Sequence, residues 1–208
     1  MIGFYNYTVI LTYLSALSAA VGIALAMNGS GLGSMICLLF SGLCDMFDGT
    51  VAKTRKRTKA EKRYGIWIDS LADVLAFGML PAAAGYCFGM KAVYYYIIIA
   101  LYVLAALIRL AYYGVTEEER PDTTTEARTT YNGLPVTASA LIFPLLFCFK
   151  SLIGDTWFTP VYAVVLALTA LAFVLNIKVH KPAHKELYWM LAIGVVIFAV
   201  ILVLSLCR

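Results

Sequence analysis

Apolar residues fill this chain in long runs, and polar residues collect in short breaks between them. A membrane helix needs about 20 mostly apolar residues. Seven runs reach that length: 7–27, 31–52, 66–89, 92–113, 134–153, 157–176 and 187–206. The pattern predicts an all-α integral membrane protein, a polytopic bundle of about seven helices with a range of six to eight. The breaks are short except 53–65 and 114–133. No repeat or second domain is visible, so residues 1–208 read as one membrane-embedded domain. The first run has no Lys or Arg before it and is long for a secretion signal, so it reads as a retained helix.

Lys and Arg set the orientation. The break after the second run holds Lys53, Arg55, Lys56, Arg57, Lys59, Lys62 and Arg63. The break at 114–133 adds Arg120 and Arg128, and that at 177–186 adds Lys178, Lys181 and Lys185. With seven spans these breaks share one side, which the bias places in the cytoplasm together with the N-terminus. The protein is thus expected in the cytoplasmic membrane as a multi-pass chain.

Composition agrees and narrows the classes. Charged residues are 13% of the chain and hydrophobic ones 62%. A soluble domain carries about 25% charged residues, and a disordered one lacks hydrophobic residues. The net charge of +4 needs no nucleic-acid partner, because basic loops orient the chain and rest on anionic head groups. The five cysteines lie scattered in apolar runs, with neither disulfide nor zinc spacing.

Against this background the acids stand out. Asp45, Asp48, Asp69 and Asp73 lie inside or at the edge of apolar runs. Ionisable residues there are costly, face polar cavities and mark function. Asp45 and Asp48 are i,i+3; Asp69 and Asp73 are i,i+4, so each pair shares a helix face. Both helices flank the same basic break, so the four carboxylates can meet just below the cytoplasmic surface. Four like charges in one place require protonation or cations. Carboxylate oxygens suit Mg2+ or Mn2+, and two such ions can clamp phosphate oxygens during a displacement. Gly49, Ala52 and Gly65 keep the surroundings small.

The stretch Asp45-Met-Phe-Asp48-Gly49-Thr-Val-Ala52-Lys53, followed by Gly65-Ile-Trp-Ile-Asp69-Ser-Leu-Ala-Asp73, resembles the signature of the CDP-alcohol phosphatidyltransferase family. That pattern is D-x-x-D-G-x-x-A-R, a spacer, then G-x-x-x-D-x-x-x-D. The one departure is Lys53, where the family has Arg; Lys keeps the charge but loses the bidentate fork. The resemblance implies a transfer of a phosphatidyl group from a CDP-linked lipid to an alcohol, with release of CMP. It implies that Asp45, Asp48, Asp69 and Asp73 bind metal, two ions of Mn2+ or Mg2+. Asp45, Asp48, Gly49, Ala52, Lys53, Gly65 and Asp69 would bind the CDP moiety, and Asp73 would act as general base. Family members are commonly homodimers, so a homodimer is expected.

The wording around the motif resembles that of the serine-using members. Ser70 and Val74 follow the third and fourth Asp, then come Phe77-Gly78 and Pro81. Tyr131-Asn132-Gly133-Leu134-Pro135 resembles their G-L-P loop. Arg109-Leu110-Ala111 resembles their fourth-helix Arg motif, with Tyr113 where a second Arg is usual. This implies CDP-diacylglycerol and L-serine as substrates, with Arg109 and Asn132 as candidates for holding the acceptor or a phosphate. Another acceptor, such as glycerol phosphate or inositol phosphate, stays open, as does a cation transporter using the acids as an ion path.

Overall fold

The computed structural model describes residues 3, 5–52, 54–118, 130–176, 178–180, 192–194 and 196–200, with 117–118, 130–132 and 178–180 described by backbone alone. A single helical turn, Tyr7–Val9, leads into α1 (Ile10–Met27). A tight turn with Gly29 at φ +81° reverses the chain into α2 (Gly31–Ala52). There follows a rod from Lys59 to Cys87: α3 (Lys59–Asp73), a π-helical segment (Val74–Met79) and α4 (Leu80–Cys87). The long α5 (Val93–Glu118) comes next. A helical turn at Val136–Ala138 opens α6 (Ser139–Cys148), followed by the short α7 (Lys150–Ile153) and by α8 (Asp155–Val174).

Five of these helices are long and apolar enough to cross a bilayer: Tyr7–Met27, Gly31–Ala52, Lys59–Cys87, Val93–Thr116 and Asp155–Val174. The apolar run at 134–153 behaves differently from its expectation as one span. Its helix, Val136–Cys148, is about 20 Å long at 1.5 Å per residue, short of the roughly 30 Å hydrocarbon core. Pro144 lies inside it and the helix breaks at Phe149. Of the expected span 187–206, residues 192–194 and 196–200 are helical and the rest lies outside the described residues. Ile197 is buried, and its carbonyl accepts a weak bond from Cys148 Sγ, so this stretch packs on α6.

The break expected at 53–65 is also shorter than its polarity suggests, because α3 starts seven residues before the apolar run. Thr58 and Glu61 form a reciprocal capping box: Thr58 Oγ1 accepts the Glu61 N–H at 3.2 Å, and Glu61 Oε2 accepts the Thr58 N–H at 2.8 Å. Two orphan donors of the first turn are thereby satisfied. One further departure from an all-helical chain is a two-stranded antiparallel ribbon. β1 (Thr130–Asn132) pairs with β2 (Lys178–His180), with Tyr131 opposite Val179. It ties the chain entering α6 to the chain leaving α8.

α1 and α2 pack along their length, and small residues let them approach. Ser15 Oγ donates to the Ser41 carbonyl at 3.4 Å, Ser41 Oγ to the Ser15 carbonyl at 3.1 Å, and Ser34 Oγ to the Gly22 carbonyl at 3.0 Å. Small residues and interhelical hydroxyl bonds are what hold helices together where water cannot drive association. The other half of the core is aromatic: Phe77, Tyr102, Phe143, Tyr162 and Phe173 interlock between the rod, α5, α6 and α8. On α5, Ile97, Leu101, Leu104 and Ile108 are exposed at helical spacing, while Tyr102, Ala105, Ala106 and Arg109 are buried.

A Cβ on Gly22 would lie 2.7 Å from Cys37 Cβ. Gly22→Ala is therefore expected to destabilise the α1–α2 pair by about 1–3 kcal/mol, the usual cost of overpacking. A Cβ on Gly114 of α5 meets nothing within 4 Å, so Gly114→Ala should be neutral or stabilising by up to about 1 kcal/mol. Thermal melts of the detergent-solubilised variants check both signs.

Candidate active site

The site forms between the C-terminal part of α2 and the C-terminal part of α3. Both helices run to the same side, and α1 packs against both. Asp45 and Asp48 leave α2 three residues apart, and Asp69 comes from α3. One carboxylate oxygen from each of the three lies within 4.8 Å of the others. The Asp48 and Asp69 side chains meet at hydrogen-bond distance. Two carboxylates that close must share a proton or a cation.

The surroundings partly compensate the charge. Thr12 Oγ1 of α1 donates to Asp48 Oδ2 at 3.3 Å, and the Gly49 backbone N–H also donates to the Asp48 carboxylate. Arg57, at the turn before α3, acts on Asp48 through its positive charge. Asp73 lies one turn deeper than Asp69, 8% exposed, outside the tightest group of three. It nevertheless feels the charge of Asp45, Asp69 and Asp48. The sequence-predicted acids thus form three converging carboxylates and a buried fourth behind them.

The small residues play distinct parts. Gly49 is exposed, and a Cβ there would meet nothing within 4 Å, so its side of the acids is open. Gly42, one turn before Asp45, is where α6 leans in: a Cβ there would lie 2.4 Å from Ala140 Cβ. A Cβ on Gly65 would come to 3.0 Å from Arg57 Nη1, so the space beside Gly65 holds a guanidinium. Ala52 is half-buried at the end of α2. Lys53 lies outside the described residues.

Arg109 is 6% exposed and has partners of its own. Its Nη2 donates to the Gly133 carbonyl at 3.1 Å and its Nε to the Leu134 carbonyl at 3.3 Å. Its guanidinium lies 4.0 Å from the centre of the Tyr113 ring, a cation–π stack. Tyr113 is the position where the family has a second Arg, and here it covers the first one. The Gly133-Leu134 segment in turn rests on the end of α8. The Leu134 N–H bonds the Ala172 carbonyl at 3.1 Å. Gly133 has φ +81°, and a Cβ there would lie 2.8 Å from the Leu175 carbonyl oxygen. Only glycine fits both conditions. Asn132 is placed as a backbone position in β1; its side chain lies outside the described residues.

Two contributors were not singled out from sequence. Thr12 belongs to a stripe of Thr8, Thr12 and Ser15 at helical spacing in an otherwise apolar run, all buried; that stripe was the available signal. Arg57 is one of several basic residues in its loop, and nothing in the sequence distinguishes it from Arg55, which instead sits 3.9 Å from Glu61.

Three carboxylates converging from two helices, open on the Gly49 side, form a hard oxygen donor set of the kind a divalent cation accepts. A family model described as CDP-alcohol phosphatidyltransferase matches residues 5–175. The chain is 37% identical over 118 residues to a Saccharomyces cerevisiae protein named CDP-diacylglycerol–serine O-phosphatidyltransferase, covering 55% of this chain and 42% of that one. A Helicobacter pylori protein of the same name is 30% identical over 174 residues, covering 78% of this chain and 67% of that one. An archaetidylserine synthase from Methanothermobacter thermautotrophicus is 31% identical over 133 residues, covering 64% and 53%. The chain spans about half the length of most relatives it matches, 42% of the yeast protein and 57% of a Mycobacterium bovis one. With a match over residues 5–175 that takes in all four acids, this chain belongs to the CDP-alcohol phosphatidyltransferase family.

Proposed function

We propose that this chain transfers the phosphatidyl group of CDP-diacylglycerol to the hydroxyl of L-serine and releases CMP. The observation that carries the reading is the meeting of Asp45, Asp48 and Asp69 within 4.8 Å on the open side of Gly49. The names of the relatives support serine as the acceptor.

Asp45, Asp48 and Asp69 would hold Mn2+ or Mg2+, two ions in the family's manner, with Asp73 as a further ligand. Cations bound there would supply positive charge against the diphosphate of the donor. The rest falls to the chain's own residues. Gly49 and Ala52 leave room for the CDP moiety, Gly65 leaves room for the Arg57 guanidinium beside it, and Lys53 and Arg57 offer the moiety positive charge. Asp73 takes the proton of the serine hydroxyl as that oxygen attacks the phosphorus of the phosphatidyl group. One P–O bond forms, the P–O bond to CMP breaks, and CMP leaves with the negative charge. A hydroxyl is a poor nucleophile until a base removes its proton in the transition state. Arg109 and Asn132 remain the proposed contacts for the serine carboxylate or a phosphate, Arg109 through donors that its two carbonyl bonds do not use. The site faces the cytoplasm, where serine is available, and the protein works as a homodimer.

Purified chain is expected to release CMP from CDP-diacylglycerol when serine and Mn2+ or Mg2+ are added. Glycerol 3-phosphate and inositol phosphate are offered in parallel. Release with either of these and not with serine would overturn the acceptor while leaving the acid site in place. Metal flux across vesicles without CMP release would replace the enzyme by a transporter.

Asp73→Asn should bind CDP-diacylglycerol as wild type does and turn over at least about a hundredfold more slowly, the usual worth of a general base. Turnover near the wild-type rate would remove Asp73 from that role. Arg57→Ala should raise the KM for CDP-diacylglycerol about tenfold, the scale of a lost charge-assisted bond, and leave the KM for serine unchanged. Steady-state kinetics with each substrate varied in turn separates the two.

A further inference from the structure

The rod that carries Asp69 and Asp73 changes its winding directly after Asp73. From Val74 to Met79 it is π-helical, and the Leu80 N–H bonds the Leu75 carbonyl, five residues back rather than four. π-segments inside α-helices are rare and concentrate at functional sites. The sequence offers a cause. Pro81 has no N–H to return to the carbonyl of Phe77, four residues earlier, and its ring crowds that carbonyl.

In a membrane such a carbonyl must find a donor within the protein. Phe77 is fully buried, and its carbonyl accepts the Tyr102 hydroxyl of α5 at 2.7 Å. With that proton committed, the Tyr102 oxygen is left to accept, and Ser139 Oγ at the start of α6 lies 3.0 Å away as its donor. Tyr102 and Ser139 are fully buried too. The chain Ser139–Tyr102–Phe77 therefore joins three elements at the point where the winding changes.

The far side of the segment is anchored. The Tyr162 hydroxyl of α8 donates to the Pro81 carbonyl at 2.9 Å. Gly85 packs against the same ring, so that a Cβ there would lie 3.0 Å from Tyr162 Cε1. One residue more or less in an α-helix turns everything beyond it by about 100°. If the π-segment relaxed to regular winding, α4 could not take up the turn. It would fall on α3, and Asp69 and Asp73 would swing away from Asp45 and Asp48.

We propose that Tyr102 is a positioning residue of the acidic site: by holding the Phe77 carbonyl it keeps the π-segment, and the π-segment sets the angle at which Asp69 and Asp73 meet the acids of α2. The inference rests on the metal-binding reading of those acids under the proposed function.

The test is Mn2+ binding to the purified full chain in detergent, followed by electron paramagnetic resonance, with thermal melts alongside. Tyr102→Phe keeps the ring and removes the hydroxyl; it should weaken Mn2+ binding about tenfold or more, the scale seen when partners behind metal ligands are lost. Tyr162→Phe is the control. It removes an equally buried hydroxyl-to-carbonyl bond on the same rod, one turn farther from the acids, and should lower the melting temperature while leaving Mn2+ affinity within twofold. Ser139→Ala, which leaves Tyr102 in place without its donor, is the second variant should Tyr102→Phe not fold, and should weaken Mn2+ in the same direction. Unchanged Mn2+ affinity in the folded variant, or an equal loss in Tyr162→Phe, overturns the positioning role and leaves the proposed function standing. A wild-type chain that binds no Mn2+ overturns both.

Discussion

Carboxylates placed in an apolar slab dominate the energetics of this protein. A charge taken toward the bilayer interior costs several kcal/mol unless something answers it, and here four acids sit on two neighbouring helices, three with oxygens within 4.8 Å of one another. The fold answers in layers. Thr12 and the Gly49 N–H donate to Asp48, and Arg57 brings positive charge to its edge. What these do not neutralise is left for a proton or a cation to balance. The same unfavourable placement that destabilises closely spaced carboxylates is what suits them, as proposed, to a divalent cation.

The close packing of α1 on α2 follows from that requirement. Thr12 reaches Asp48 only because α1 lies tight against α2, and it lies tight because Gly22, Ser15, Ser34 and Ser41 occupy the seam. α6 leans on Gly42, one turn from Asp45. Each contact moves backbone close to backbone near the acids, so small residues away from the chemistry still set its geometry.

A second demand of the bilayer, that every backbone carbonyl find a partner inside the protein, runs through the same structure. Phe77 and Pro81 are served by tyrosine hydroxyls from α5 and α8, and Gly133 and Leu134 by Arg109. In the last case a charged side chain draws the 133–135 turn onto α5, and the ring of Tyr113 covers its outer face. The turn itself closes the end of α8 through Leu134 and the positive-φ Gly133. Polar groups that look isolated in an apolar sequence prove to be the fastenings between helices.

The amino-acid sequence alone determined the class of protein, most helix positions and the acidic site, because these depend on local features: run length against bilayer thickness, and the i,i+3 and i,i+4 spacing of Asp45, Asp48, Asp69 and Asp73. The family followed from the same residues. It misjudged 134–153, where apolar content was sufficient but Pro144 and the break at Phe149 shorten the helix. It missed the early start of α3, since the capping box at Thr58 and Glu61 extends a helix into polar residues. Which face of α5 looks inward was hidden as well. Lipid and core are both apolar, so Leu101 and Tyr102 look alike until neighbours are known. Only the tertiary structure decided that Arg109 binds two carbonyls, that Arg57 rather than Arg55 acts on Asp48 through its charge, and that Tyr102 donates to the Phe77 carbonyl behind Asp73. Those outcomes depend on which helices are adjacent and at what angle, and adjacency is a property of the packed bundle that no spacing along one chain encodes.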